Sequence, residues 1–186
     1  MSKYDQDLGR NKANHVPLSP LSFIRRAAEV FPERIAVIHG NERRTWKETF
    51  LRCRRLSSAL VSRGIKKGDT VAVMAPNVPA LFEAHFGIPA CGAVLNALNV
   101  RLDAEIIAFI LEHAEARVLI TDREFSSVIS EALSKIENKP LVVDIDDPLA
   151  QFGDHLGELT YEELLAEGDS TSSWDLPEDE WDAISL

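Results

Sequence analysis

Apolar residues recur along this chain in two rhythms that take turns. Leu21, Ile24, Ala27, Ala28 and Phe31 fall at the three-and-four spacing of one helix face. They predict a helix over 20–31 that Pro32 ends, since proline cannot donate to the helical ladder. Ile35 to Ile38 is a short strand-like run. Gly40-Asn41 is a turn signal, after which Arg43 to Thr45 pairs back as a hairpin. Thr45-Trp46-Lys47-Glu48 is a capping box: the hydroxyl accepts from the N–H three residues on, and the glutamate reaches back. The helix it opens is expected to reach Arg63, with Phe50, Cys53, Leu56, Leu60 and Val61 inward and Gly64 in the left-handed closing position.

Beyond the turn at Lys66-Lys67-Gly68-Asp69, strands are predicted at 70–74, 93–98, 117–121 and 141–145. Between them lie three helices. The first has Asn77 as N-cap and Pro79 in its first turn, runs to Cys91 and is closed by Gly92. The second is capped by Asp103, with Ile106, Ile107, Ile110 and Leu111 on its apolar side, and the third covers 124–136. This alternation with short connections specifies an α/β fold: a mainly parallel sheet with helices on both faces, preceded by a small hairpin. Residues 1–17 form a loose arm and 18–145 the α/β unit. After Asp146 regularity fades. A second capping box, Thr160-Tyr161-Glu162-Glu163, opens a short helix to Ala166, and 170–180 has the composition of an exposed linker. Ala183-Ile184-Ser185-Leu186 is expected to be the first half of a buried strand. Ligand loops of α/β sheets lie beyond strand carboxyl ends, so the chemistry is expected just past Leu186.

Charge adds an asymmetry. Residues 1–143 hold all 20 Lys and Arg and 16 of the 30 Asp and Glu, a net +4, whereas 144–186 hold the other 14 acids, a net −14. Such a tail repels nucleic acid and anionic lipid, so neither is an expected partner. It is either a solvated acidic surface or the partner of a basic surface elsewhere. No apolar run approaches the length of a membrane span and no apolar leader is visible at the start. Two distant cysteines, Cys53 and Cys91, have no metal spacing, and a reducing cytoplasmic setting is expected.

Familiar site motifs are missing: there is no dinucleotide fingerprint, no P-loop and no nucleophile elbow. His15, His39, His85, His113 and His155 share no metal-ligand spacing, so no metal site is expected. His85, among Leu81, Phe82 and Phe86, is read as a satisfied, partly buried histidine, His113 as a helix-end residue, Cys91 as a small core residue and Trp46 as a packing anchor. Lys66-Lys67 is read as a solvated turn. Asn96, Asn99 and Arg101 cluster after a strand, where loops serve sites.

The run Thr70-Val71-Ala72-Val73-Met74-Ala75-Pro76-Asn77, the later Gly92-Ala93-Val94-Leu95-Asn96-Ala97-Leu98-Asn99-Val100-Arg101-Leu102, Arg44-Thr45-Trp46 and Gly64-Ile65-Lys66-Lys67-Gly68-Asp69 come in a telling order. Together they resemble the N-terminal region of AMP-forming acyl-CoA synthetases of the adenylate-forming superfamily. Asn14-His15-Val16-Pro17-Leu18-Ser19-Pro20-Leu21-Ser22-Phe23 resembles its group that activates fatty and aryl acids. The resemblance covers 14–186. It implies that a carboxylic acid is activated with ATP and Mg2+ to an acyl-adenylate and passed to coenzyme A. It also implies that Asp182-Ala183-Ile184-Ser185-Leu186 leads into the phosphate-gripping Ser/Thr/Gly loop. No catalytic residue matches a position here. Arg101 is the single candidate for a cofactor contact, toward the phosphates of coenzyme A; alternatively it pairs with Asp103 or Glu105. On this reading the 186 residues are inactive alone, bind no nucleotide tightly, and are marginally stable or self-associating because a cut sheet leaves an open edge. The rival reading is a stand-alone, non-catalytic ligand-binding or protein-interaction module.

Overall fold

Val71 and Val73 point to one side of a strand and Ala72 and Met74 to the other, and all four are buried. A strand buried on both faces needs cover on both, and two separate apolar cores supply it. The computed structural model describes residues 3–7, 9–11, 13–150, 152–174 and 177–186. In chain order the elements are α1 (Leu21–Val30), β1 (Ile35–His39), β2 (Glu42–Thr45), α2 (Trp46–Ser62), β3 (Thr70–Met74), α3 (Pro79–Gly87), β4 (Val94–Ala97), α4 (Ala104–His113), β5 (Ala116–Asp122), α5 (Ser126–Ser134), β6 (Leu141–Ile145), β7 (Leu159–Thr160) and α6 (Tyr161–Glu167). Short 3₁₀ turns cover Lys3–Asp5, Pro89–Cys91 and Arg123–Phe125.

The sheet runs β4-β3-β5-β6-β7, parallel throughout, and β1-β2 forms the separate antiparallel hairpin. One core joins Val71, Val73, Val118, Ile120 and Val143 to α2, α3 and α6, through residues such as Leu56, Ala84 and Leu164. The other joins Ala72, Met74 and Leu119 to α4 and α5 through Ile107, Leu111 and Ile129. Helices therefore cover both faces, as the alternation predicts. The arm expected over 1–17 falls partly outside the described residues (Met1, Ser2, Leu8 and Lys12).

Both capping boxes form. Thr45 accepts from the Glu48 N–H at 3.2 Å while Glu48 accepts from the Thr45 N–H at 2.7 Å, and Thr160 and Glu163 repeat the pattern. Thr45→Ala is expected to cost about 1 kcal/mol in urea unfolding at neutral pH, because an orphan helix N–H loses its acceptor. An unchanged midpoint would show that water replaces the cap at no cost.

Several local expectations need correction. Asn77 does not cap α3: Val78 does, in an extended conformation (φ −102°, ψ 162°) with no side-chain cap bond. The proline ring of Pro79 holds the residue before it extended, which places the cap directly before the proline. The helix expected to run to Cys91 stops at Gly87, and the 3₁₀ turn from Pro89 follows, because Pro89 has no N–H to continue the ladder. Gly92 therefore closes the 3₁₀ turn and not α3, with a left-handed φ of 78°. On α2, Phe50 is only half-buried and Val61 is 54% exposed; Ser57 takes the inward place, completing a stripe with Cys53, Leu56 and Leu60. Val61, next to Leu60, is turned about 100° from that stripe. Ile106 is likewise exposed on α4. The helix expected over 124–136 begins as a 3₁₀ turn, with the Asp122 carboxylate accepting from the Glu124 N–H.

The acidic segment is more tied down than its composition suggests. β7 extends the sheet beside β6. The guanidinium of Arg54 bonds the Ser172 carbonyl, and Trp174 packs on Phe50 with ring centroids 4.7 Å apart. Asp175 and Leu176, within the linker expected over 170–180, lie outside the described residues. Ala183–Leu186 is not a buried strand: Ala183, Ser185 and Leu186 are exposed, and the segment meets the sheet only through Leu95, by Leu95 N–H to Ile184 O (3.0 Å) and Leu186 N–H to Leu95 O (2.9 Å). Nothing among the described residues covers its outer side.

Candidate functional site

In a parallel sheet every strand ends on the same edge, and ligands bind where the connections diverge. Here β3 leads to β4 on one side while its other neighbour is β5, so the divergence lies beyond Met74 and Asp122. The carboxyl edge therefore gathers Ala75-Pro76-Asn77 after β3, Leu98 to Arg101 after β4, Asp122 at the end of β5, and Asp146 and Asp147 after β6.

Of the residues singled out beforehand, Asn96 is buried within β4, whereas Asn99 and Arg101 are exposed beyond it. The Asn99 side-chain oxygen accepts from the Arg101 N–H at 2.9 Å, closing a local turn. The Arg101 guanidinium pairs with neither acid considered for it. Asp103 instead caps α4 by accepting from the Ile106 N–H at 2.9 Å, and Glu105 lies 3.9 Å from Lys135. Arg101 thus stands as an exposed, unengaged cation among the described residues.

Next to β5 and β6 lies a charged cluster that local reading did not assemble. Asp122 is fully buried; one oxygen accepts from Glu124 N–H and the other has no partner. Burial, with the charges of Glu124 and Asp147, raises its carboxyl above the usual range. Asp144, also buried, accepts from the N–H groups of Leu156 (2.9 Å) and Gly157 (2.8 Å). Arg123 reaches Asp146 at 3.0 Å, and His39 of the hairpin donates to Asp147 at 2.8 Å. Among the described residues no three or more His, Cys, Asp or Glu are arranged so that they could hold a metal ion.

A second network was missed altogether. Glu83 of α3 is completely buried, yet its carboxylate accepts from Arg44 (2.5 Å), Arg52 (2.7 Å) and the Tyr161 hydroxyl (3.0 Å). Arg44 also pairs with Glu42, and Arg52 with Glu162. Burial opposes the charge on Arg52, but its bonds to Glu162 and the charge of Glu83 outweigh that and hold its pKa above the ordinary value. Burial and the Glu83 charge push the Tyr161 phenol up. The one signal in the sequence was position: Glu83 shares a helix stripe with Ala80, Ala84 and Gly87, all buried.

Neither thiol is poised for chemistry. Burial pushes Cys53 well up, and Cys91 is a buried core residue whose S–H donates to the Ile88 carbonyl. His85 is exposed rather than partly buried, with Nδ1 donating to the Leu81 carbonyl at 2.7 Å, because it lies off the Ala80–Ala84 stripe. His113 stacks on Phe109, and Trp46 is half-buried at the start of α2. Lys67 is less free than a solvated turn implies, pairing with Asp182 at 2.8 Å. Tail acids thus meet basic groups of the body at Arg52, Arg63, Lys67 and Arg123. Between β1 and α3 a cavity of about 570 Å³ opens, walled by Ile38, Phe82 and Phe86 with His39 and Asn77 beside them.

Known proteins are similar to this chain in sequence and in fold. The acetate–CoA ligase of Humulus lupulus is 47% identical over 97% of this chain and 34% of its own length. The peroxisomal acetate/butyrate–CoA ligase of Arabidopsis thaliana is 44% identical over 97% and 34%, and the peroxisomal benzoate–CoA ligase of the same plant 42% over 97% and 33%. A crystal structure of an anthranilate CoA ligase in complex with anthranoyl-AMP superposes with a TM-score of 0.83, at 20% identity, over 96% of this chain and 33% of that one. The chain therefore spans about a third of the length of these relatives. At that identity the superposition speaks for the fold alone. The profile of the family described as AMP-binding enzyme matches residues 24–181, most of the sequence, and the chain belongs to that family.

Proposed function

We propose that these residues build the scaffold of an ATP-dependent, AMP-forming acid–thiol ligase. The observation that carries the reading is the family match over 24–181, supported by 42–47% identity to relatives named as acetate, butyrate and benzoate CoA ligases. In the reaction, a carboxylate oxygen attacks the α-phosphorus of ATP and pyrophosphate leaves. The sulfur of coenzyme A then attacks the acyl carbon and AMP leaves. Magnesium would offset phosphate charge, but no side chains among the described residues are grouped to hold it.

The contribution of this chain is positional. Its parallel sheet holds the carboxyl-edge loops in place, and buried Glu83, bonded by Arg44, Arg52 and the Tyr161 hydroxyl, locks the hairpin, α2, α3 and α6 together. Arg101 is the residue suited to a phosphate: it is exposed, unpaired and always charged, and its planar fork matches phosphate oxygens. We assign it to the phosphates of coenzyme A. No helix among the described residues is long and apolar enough to cross a membrane. We propose a cytoplasmic setting, which two distant cysteines suit as they would any reducing compartment; several relatives carry peroxisomal names.

The 186 residues alone are expected to give no ATP–pyrophosphate exchange above a blank, and calorimetry with ATP, AMP and coenzyme A is expected to show no tight binding. Exchange by the bare chain would overturn the scaffold reading, and tight nucleotide binding would favour a self-sufficient binding module.

A further inference from the structure

The β1-β2 hairpin stands apart from the parallel sheet, and among the described residues β1 pairs with β2 alone, so its other edge is open. His39 and Glu42 close the two-residue turn. By the alternation of an antiparallel ladder, Ile38 then turns its N–H and C=O away from β2. No other element among the described residues takes them up. Four consecutive residues, Ala36 to His39, line the cavity beside α3. Successive side chains of a strand point to opposite faces, so four in a row share one space only along the strand's edge. The cavity is thus a groove of about 570 Å³ along an unpaired edge, with Phe82 and Phe86 on its α3 side.

Open edges are usually blunted by charged side chains, proline or bulges. Here the one irregularity, between Ile35 and Val37, leaves Val37 to His39 regular. The strand Ile35-Ala36-Val37-Ile38-His39 has no Lys, Arg, Asp or Glu, and Ile38 is 66% exposed. Charge sits at its two ends instead. Glu33, just before β1, is exposed and has no ion pair. Arg43, just past the turn, is exposed and gives its guanidinium only to the carbonyls of Gly40 and Glu42. A second copy laid antiparallel along β1 brings Glu33 of each chain to the turn end of the other, where Arg43 lacks a carboxylate. Two-fold symmetry makes that contact twice.

We propose that β1 is an interface between two copies of this chain. The copies pair β1 to β1 about a two-fold axis, which joins two hairpins into one antiparallel sheet. Apolar side chains of each β1 enter the groove of the other copy, and Glu33–Arg43 pairs close both ends. The contact is independent of ligase chemistry, and it lies on a different edge from Ala183–Leu186. The net charge of −10 opposes the approach of two copies, so the expected affinity is modest.

The test is sedimentation velocity of the 186-residue chain over a concentration series. A monomer–dimer equilibrium with Kd of about 10–100 μM is expected. Ile38→Lys puts a charge on the edge at an exposed, tolerant position, and is expected to weaken the dimer about tenfold or more while far-UV circular dichroism stays unchanged. Glu33→Arg and Arg43→Glu are each expected to weaken it about three- to tenfold. The double variant is expected to regain the original affinity, because each pair is restored with its signs exchanged. A monomer up to about 500 μM would overturn the proposal. So would a dimer untouched by Ile38→Lys, or a double charge variant no tighter than the single ones.

Discussion

Glu83→Ala is expected to destabilise the protein by about 3–5 kcal/mol, a large part of the roughly 5–15 kcal/mol that holds a domain together. The carboxylate is fully buried and is the shared acceptor of Arg44, Arg52 and Tyr161. Its removal leaves two guanidinium groups and a phenol short of a partner where little water can reach. Glu42 and Glu162, the other acceptors of those arginines, are at the surface and cannot stand in for it. Glu42→Ala, which removes only a partly exposed partner, is expected to cost about 0–1 kcal/mol. Urea unfolding of both variants is the measurement; equal costs would refute the central place given to Glu83. Acid acts on the same network with a definite sign. The bonds from Arg52 hold Glu162 below its ordinary carboxyl range, so its contribution is present at neutral pH and is lost as pH falls through that lowered value. Because Glu162 is largely exposed, that part is small.

The second large effect is expected where α2 and α3 touch. Leu56 is fully buried in the core beneath the sheet, and Leu56→Ala should cost about 2–5 kcal/mol by leaving a cavity. Opposite it is Gly87, where an added Cβ would lie 2.8 Å from the Leu56 Cδ2 and 2.9 Å from the Cys53 carbonyl oxygen. Gly87→Ala alone should therefore cost about 1–3 kcal/mol through crowding. Combined, the two changes should cost less than their sum, because the shortened side chain at 56 removes one of the two clashes. The Cys53 carbonyl and the Cβ at position 56, 3.0 Å away, remain, so recovery is partial. A coupling of about 0.5–3 kcal/mol is expected from a double-mutant cycle. Strict additivity would mean that the helices do not meet at this point.

The two cores explain why these effects are separable. Leu56, Gly87 and Glu83 all belong to the α2–α3–α6 side of the sheet, whereas Ile107, Leu119 and Ile129 fill the other. The charge asymmetry of the chain is resolved mainly on the first side, where Arg52 and Arg63 of α2 and its end take Glu162 and Glu167 of α6. The acidic segment is thus partly the counter-charge of the body that precedes it.

Much of the architecture was legible residue by residue. The alternation of periods placed β3 to β6 and the helices between them, and the two capping boxes marked the starts of α2 and α6, because a capping bond spans three residues and needs nothing distant. Of the candidate site, the loop of Asn99 and Arg101 could be found from its position after a strand. The local chain did not decide where α3 begins, since the proline ring outweighed the asparagine. Nor did it reveal β7, whose two residues form a strand only because β6 lies beside them. Glu83 shows the limit most clearly: its partners are 39, 31 and 78 residues away, so its burial has meaning only once four elements converge. The cavity and the exposed Ala183–Leu186 follow the same rule. Sequence determined which segments are helix or strand and which face is apolar, because propensity, capping and periodicity act over a few neighbours. Tertiary structure alone decided which polar groups could be buried, which apolar faces stayed open and where a ligand could fit, because desolvation depends on what packs from far along the chain.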